Sequence, residues 1–236
     1  PLRWYFLARL APEAQKRISK NIVTEVASSF VNTLWNIYSF FVLYASLDNI
    51  KIDKKVVHKN LPEIDRWILA LLYRTIISST EALEDYNAKS AGEDIENFTD
   101  QLSNWYIRRN RRRFWKSEPG FEKQSAYSTL YTCIYHLHHL IAPFMPFLAE
   151  EIYQNIVRET DKDSPISVHL SGWPRAESYW QDDDLLNEIA VVQQVVALGR
   201  SAREESRVRV RQPLAKVLVR SPNEDAKQAV VRHKNQ

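Results

Sequence analysis

The sequence predicts an all-α protein, an antiparallel helical bundle with a small mixed α/β tail. Three observations carry that prediction. Only 4 of the 236 residues are glycine, well below average usage, so tight turns and loops that need a bare backbone are scarce. Apolar residues recur three and four apart through five stretches longer than an ordinary strand. Proline, glycine and short polar runs fall between those stretches, where helices stop. With 44% hydrophobic and 26% charged residues, the chain has material for a core, and a disordered or collagen-like chain is excluded.

Residues 1–20 read as a connection with an aromatic stretch from Leu2 to Leu10, closed by Pro12. A helix follows, with Asn21 placed as N-cap and Ile22, Val26, Phe30, Leu34, Ile37, Phe41 and Tyr44 along one stripe. A second stripe through Val23, Ala27, Val31, Trp35, Tyr38 and Val42 marks it as the central helix of the bundle. Residues 50–60 are a polar connection. Pro62 suits the first position of the next helix, which carries Ile64, Trp67, Ile68, Leu71, Leu72, Ile76 and Leu83 and ends near Asn87. The third helix runs from about Ala91 to Lys116, acidic early and basic late as the helix dipole favours, and Glu118, Pro119 and Gly120 end it. Tyr127, Leu130, Tyr131, Ile134, Leu137 and Ile141 make the fourth, stopped at Pro143, and a shorter helix restarts after Pro146. Asp161 to Gln181 is a loop, with Ile166 to Leu170 as a short strand. Asp182, Asp183 and Asp184 open the last long helix, through Leu185, Ile189, Val192, Val196 and Gly199, where Gly199 permits close helix packing. From Arg207 the alternation Arg207-Val-Arg-Val-Arg211 has period two and reads as strand. The bundle is therefore assigned to 21–206, and 207–236 to the start of a truncated further domain.

A single cysteine, Cys133, forms no internal disulfide, and no run of about 18 apolar residues occurs, so the reading is cytoplasmic. The chain starts at Pro1 and its one methionine is Met145, which leads to the expectation of a fragment or processed chain. Cys133, His136, His138 and His139 crowd together, but their spacing matches no standard zinc pattern, and no glycine-rich loop is present to cradle a nucleotide. Neither a metal nor a catalytic residue is assigned, and no cofactor is expected.

The stretch Asn104 to Lys116 holds six positive charges, no acid and four aromatic residues. Arginine meets phosphate with paired hydrogen bonds and stacks on bases, and aromatic faces hold unstacked bases of an RNA loop. At about 100° per residue, Ile95, Phe98, Leu102, Trp105 and Tyr106 share a face with Arg109 at its centre, Arg112 and Arg113 beside it, and Arg108 and Arg111 pointing away. Arg109 is thus expected to be partly buried and to need a carboxylate, for which Glu151 is preferred over Glu150. Arg108, Arg111, Arg112, Arg113, Trp115 and Lys116 are the RNA-contacting candidates. Arg207, Arg209 and Arg211, sharing one face of the proposed strand with Val208 and Val210 inward, are a second phosphate-binding set. The net charge is only +3, so binding would rest on these patches rather than on bulk attraction.

The segment Leu102-Ser-Asn-Trp-Tyr-Ile-Arg-Arg-Asn-Arg-Arg-Arg-Phe-Trp-Lys-Ser-Glu118 resembles the anticodon-binding domain of the isoleucyl-tRNA synthetases, a class I family. So do Leu2 to Phe6, Thr33 to Phe41, Ala142 to Phe147 with Glu150 and Glu151, Val168 to Pro174, and Val208 to Leu214, in that order along the chain. The resemblance implies a piece, expected to be monomeric, that holds the anticodon stem and loop of isoleucine tRNA. It also implies a parent enzyme that uses ATP and Mg to join isoleucine to that tRNA. The catalytic signatures His-Ile-Gly-His and Lys-Met-Ser-Lys-Ser are absent from this chain, so its own role is expected to be noncatalytic. Two other readings remain open on the sequence: the bundle of a valine, leucine or methionine synthetase, and a basic scaffold that contacts an acidic protein.

Overall fold

Each predicted helix forms, and its ends follow local chemistry. The computed structural model describes residues 1–11, 13, 15, 17–48, 50, 60–116, 118, 120–221 and 223–233. The predicted connection over 51–59 and the stop signals at Pro12 and Pro119 lie outside these residues. The helices are α1 (2–9), α2 (20–48), α3 (63–84), α4 (88–115), α5 (121–141), α6 (146–158), α7 (183–205) and α8 (224–232). Among the described residues there is no strand. The alternating segment after Arg207 is irregular, Arg207 has φ 55° and Val210 is 72% exposed. Val208 N–H and the Arg203 guanidinium turn this chain back on α7, at Arg203 O (2.8 Å) and at the carbonyls of Arg209 and Gln212. Period two alone did not supply a partner strand, and without one a ladder cannot form. Ile166 to Leu170 is likewise a loop with one 3₁₀ turn at Val168–Leu170.

The chain divides into two units, 1–181 and 182–236. In the first, Ile68, Leu69, Leu72 and Ile76 of α3, Ile95, Phe98, Leu102 and Tyr106 of α4, and Tyr127, Leu130, Ile134 and Leu137 of α5 are at most 2% exposed. Helix α5 is buried nearly all round and is the central helix. The sequence pattern assigns that place to α2, but α2 buries the stripe Val26, Phe30, Leu34, Ile37 and Phe41 and leaves Leu43, Leu47 and Trp35 exposed. By length and composition α2 is apolar enough to cross a membrane. Its stripe is instead spent inside the bundle, with Phe30 stacked on Trp4 at 3.9 Å and Phe41 near Tyr131. Ser19, two residues before the predicted cap, accepts from Ile22 N–H and caps α2, and Asn87 caps α4 by accepting from Ser90 N–H.

Helix α1 crosses α4 closely at Gly92, where a Cβ would stand 2.7 Å from the Ala8 Cα. Gly199, expected to serve such a contact, has nothing within 4 Å of its Cβ position. In the second unit, α7 begins at Asp182, whose side chain accepts from Leu185 N–H, and α8 docks through Arg232 and His233 onto Glu188.

Among the described residues, four helical segments widen to the π form, over Tyr5–Arg9, Ala27–Val31, Gln101–Ile107 and Gln154–Arg158. A π turn closes i to i+5 and so rotates everything beyond it relative to an ideal helix. In α4 this decides which arginine is inside.

Candidate nucleic-acid interface

The buried stripe of α4 runs Ile95, Phe98, Leu102, Tyr106, Asn110, Phe114. From Leu102 the step is four residues for three successive turns, where an ideal helix averages 3.6. The π segment Gln101–Ile107 accounts for the difference. Extrapolation at a fixed angle therefore misplaces the arginines by about one position. Arg109, expected to be buried against Glu151, is exposed, and its guanidinium carbon lies over the Trp105 ring at 4.9 Å. Glu151 is also exposed and accepts from Asn155 Nδ2 at 3.1 Å. Its neighbour Glu150 is the tied carboxylate: it accepts from Ser167 Oγ, Val168 N–H and Gln154 Nε2, and these bonds hold it below the usual carboxylate range despite partial burial.

The inward guanidinium belongs to Arg113. Its Nη1 and Nη2 donate to Asp65 Oδ1 and Oδ2 at 2.7 and 2.6 Å, a bidentate pair. Nη2 also donates to Ser125 Oγ and Glu122 O, and Nη1 to Asn110 Oδ1. Asp65 is fully buried and accepts in addition from Tyr106 O–H at 2.7 Å. Burial would lower the Arg113 pKa, but the Asp65 carboxylate outweighs it and raises it. Burial and the same carboxylate push the Tyr106 phenol far up, so it stays a donor. Arg113, an RNA candidate on its sequence, is thus a bolt between α3, α4 and α5. Asp65 escapes a sequence reading because an acid in the first turn of a helix looks like a surface residue favoured by the dipole.

Arg108 and Arg111 point outward on the same face of α4 and line a groove of about 370 Å³ against α2. Asn36, Ile37 and Phe40 form its α2 wall, and Ser103, Asn104 and Ile107 complete the α4 side. Phe40 is fixed edge-on against Phe114, 5.2 Å between centroids. Asn104 donates to Asp100 Oδ1 at 2.6 Å, one turn back along α4. Two guanidiniums, two carboxamides and an aromatic edge in one concavity can take a phosphate and a base together. Asn36 and Phe40 do not stand out in the sequence. Their signal is present all the same, since a helix with one buried stripe must show its other polar positions to a neighbour or to solvent. Arg112, Trp115 and Lys116 are exposed at the C-terminal end of α4, Trp115 by 67%, with the Lys116 ammonium 5.3 Å from the Trp115 ring centroid. Arg207, Arg209 and Arg211 are exposed in the second unit and, with no strand formed, do not share a strand face.

The histidine cluster is structural in its bonding. His136, His138 and His139 each place Nδ1 within 2.7–2.9 Å of the carbonyl four residues earlier, which requires Nδ1 to carry the proton. Burial keeps all three neutral, His136 down to about 4. Cys133 is fully buried and its thiol is pushed well up, which makes it a poor nucleophile.

The family profile described as the anticodon-binding domain of tRNA ligase matches residues 65–219, a span that includes α3 from Asp65 onward, the arginine end of α4 and Arg207 to Arg211. The isoleucine–tRNA ligase of Dehalococcoides mccartyi (strain CBDB1) is 48% identical over 92% of this chain. Those of Deinococcus radiodurans and Thermus thermophilus are 44% and 43% identical over 100% and 94% of it. The chain spans about a fifth of the length of these relatives, 21–22%. By fold, by the arginine groove and by these matches, the chain belongs to the anticodon-binding domain family of the tRNA ligases.

Proposed function

We propose that this chain is the part of an isoleucine–tRNA ligase that holds the anticodon stem and loop of isoleucine tRNA in the cytoplasm. On this reading, activation of isoleucine with ATP and Mg, and its transfer to the tRNA 3′ end, occur elsewhere in the parent enzyme. The contribution of this piece is position and discrimination, because only a tRNA whose loop fits is brought into register for the distant chemistry.

The observation that supports it best is the groove between α2 and α4. Arg108 and Arg111, one turn apart, engage consecutive phosphates, the Phe40 ring meets a base, and Asn36 and Asn104 offer amide groups to its edge. Arg112, Trp115 and Lys116 extend the same basic, aromatic surface along the stem.

The test is binding of the 236-residue chain, as a monomer, to isoleucine tRNA transcripts with native and substituted anticodons across a salt series. The native anticodon should bind tighter. Replacing Arg108 and Arg111 by Ala should lower affinity and reduce the log–log salt slope by about 1.4, because each single-strand phosphate that is no longer neutralised removes roughly 0.7. Equal affinity for native and substituted anticodons, or an unchanged slope in the double variant, would overturn the reading.

A further inference from the structure

Outside the arginine groove, a cavity of about 340 Å³ lies in the first unit, where α5 meets the loop after α6 and the Ser178–Trp180 turn. Its walls are Tyr131, Tyr135, Tyr179 and Trp180, and Asp161 and Glu177 supply its charge. His136 also lines it, held neutral by burial with its pKa lowered to about 4. No lysine or arginine is among the described residues that line it.

The walls are fixed before any ligand arrives. Tyr153 O–H donates to Pro165 O at 2.6 Å, Gln154 Nε2 to Ile166 O at 2.7 Å, and Arg158 Nη1 to Ser164 O at 2.5 Å and to Lys162 O. Those bonds staple the loop that carries Asp161, and they turn Arg158 onto carbonyls of that loop. Lys162 pairs with Glu159 at 3.0 Å. On the opposite side, Trp180 is 3% exposed and packs edge-on to His136 at 5.3 Å. Trp173 Nε1 donates to Thr80 Oγ1 at 2.8 Å and anchors the approach to that turn.

The carboxylates act on the rings they face. After burial itself, Asp161 is among the causes that push the Tyr131 phenol up to about 12 and raise that of Tyr135, and Glu177 raises that of Tyr179. The phenols stay neutral, and the cavity is lined by aromatic rings under a field from two carboxylates. A phosphate-bearing ligand would bring its own negative charge against both, so this is not a second RNA groove. Aromatic faces attract a cation with an aliphatic body, and carboxylates accept its N–H groups. A volume of this size holds such a group whole.

We infer that this cavity is a binding site for an organic cation of the alkylammonium class. A free polyamine and a lysine side chain on a peptide share that chemistry.

The experiment is an NMR titration of the 236-residue chain, with the Trp180 indole N–H as reporter. The probes are n-butylammonium, its neutral isostere n-butanol, spermidine, and N-acetyl-lysine methylamide. Saturable binding of n-butylammonium, with n-butanol roughly tenfold weaker or absent, is expected. The tighter of spermidine and the lysine derivative identifies the source. Combined Asp161→Asn and Glu177→Gln should weaken n-butylammonium roughly tenfold, and Tyr135→Leu should weaken it without changing the charge. Equal response to the alcohol and the ammonium, or no saturable response to the ammonium, overturns the proposal. That comparison uses the unmodified chain, so it stands even if a variant fails to fold.

Discussion

Removing the Arg113 guanidinium should damage stability far more than removing any other arginine of the basic stretch. Asp65 is fully buried, and Arg113, itself 14% exposed in its side chain, supplies two of the donors on its carboxylate; the third is Tyr106 O–H. Arg113→Met would leave a buried carboxylate with the Tyr106 bond alone. Breaking a buried pair from one side costs about 3–5 kcal/mol, most of it the stranded charge rather than the lost attraction. For a folded unit of this size each kcal/mol is worth roughly 2–4 °C in melting temperature, so the drop should be about 6–20 °C. Adding Asp65→Asn removes the stranded charge and keeps an acceptor for Tyr106, so the double variant should recover at least about 2 kcal/mol relative to the sum of the single changes. Arg109→Ala is the control: exposed over Trp105, it should stay within about 0.5 kcal/mol of the parent chain. Thermal and denaturant unfolding followed by far-UV circular dichroism measure all five proteins: the parent chain, Arg113→Met, Asp65→Asn, the double variant and Arg109→Ala. Strictly additive single costs, or a larger loss from Arg109→Ala than from Arg113→Met, would refute the assignment of the buried arginine.

Two further outcomes follow from particular contacts. His136 has its pKa depressed from 6.5 to about 4 by burial; the unfolded chain therefore binds the extra proton first, and stability present above pH 6.5 is lost as the pH falls toward 4. That loss amounts to about 3 kcal/mol for this group at 1.36 kcal/mol per unit, and denaturant midpoints that stay level between pH 7 and pH 4 would contradict it. Gly92→Ala forces α1 away from α4 and should destabilise by about 1–3 kcal/mol, while Gly199→Ala meets open space in a helix and should stabilise by up to about 1 kcal/mol; equal signs in unfolding measurements would show that the α1 contact does not constrain the fold.

Most of the helical plan was legible because the signals were local. Asp182, Pro146 and the Pro143 stop each act within a turn of their own position. The apolar stripes of α3 and α5 predicted their buried faces, since both are regular α-helices throughout. Legibility failed where a property depends on distant partners or on helix geometry. Arg207 to Arg211 alternate as a strand would, yet alternation cannot provide a second strand, and Arg203 captures the backbone instead. Asp65 and Arg113 are 48 residues apart, and neither residue's neighbours in sequence announce the pair. The aromatic and basic character of α4 was evident from its sequence, but the groove needed Asn36 and Phe40 from α2, which no spacing within α4 reveals.

The π segment of α4 raises a question of specification, since the arginine block by itself does not choose a register. A one-residue slip would carry Arg112 toward Asp65 in place of Arg113, one guanidinium for another, so the buried ion pair cannot fix which of the two goes in. The neighbours can. In the observed register Phe114 is 1% exposed and meets Phe40 and Tyr127 edge-on, at 5.2 and 5.0 Å, and Asn110 is buried, donating to Tyr106 O and accepting from Arg113. After a slip Arg113 would stand where Phe114 packs, and a charged group would enter an aromatic cluster with no partner, a cost of several kcal/mol. Phe114 and Asn110 therefore set the rotation of the helix, and Asp65 then selects the arginine that this rotation delivers. The same rotation turns Arg108 and Arg111 to the groove with Asn104 between α4 and α2. Packing inside the bundle and the arginines presented at the groove outside it are thus two faces of one choice of register, made by the buried side chains Asn110 and Phe114.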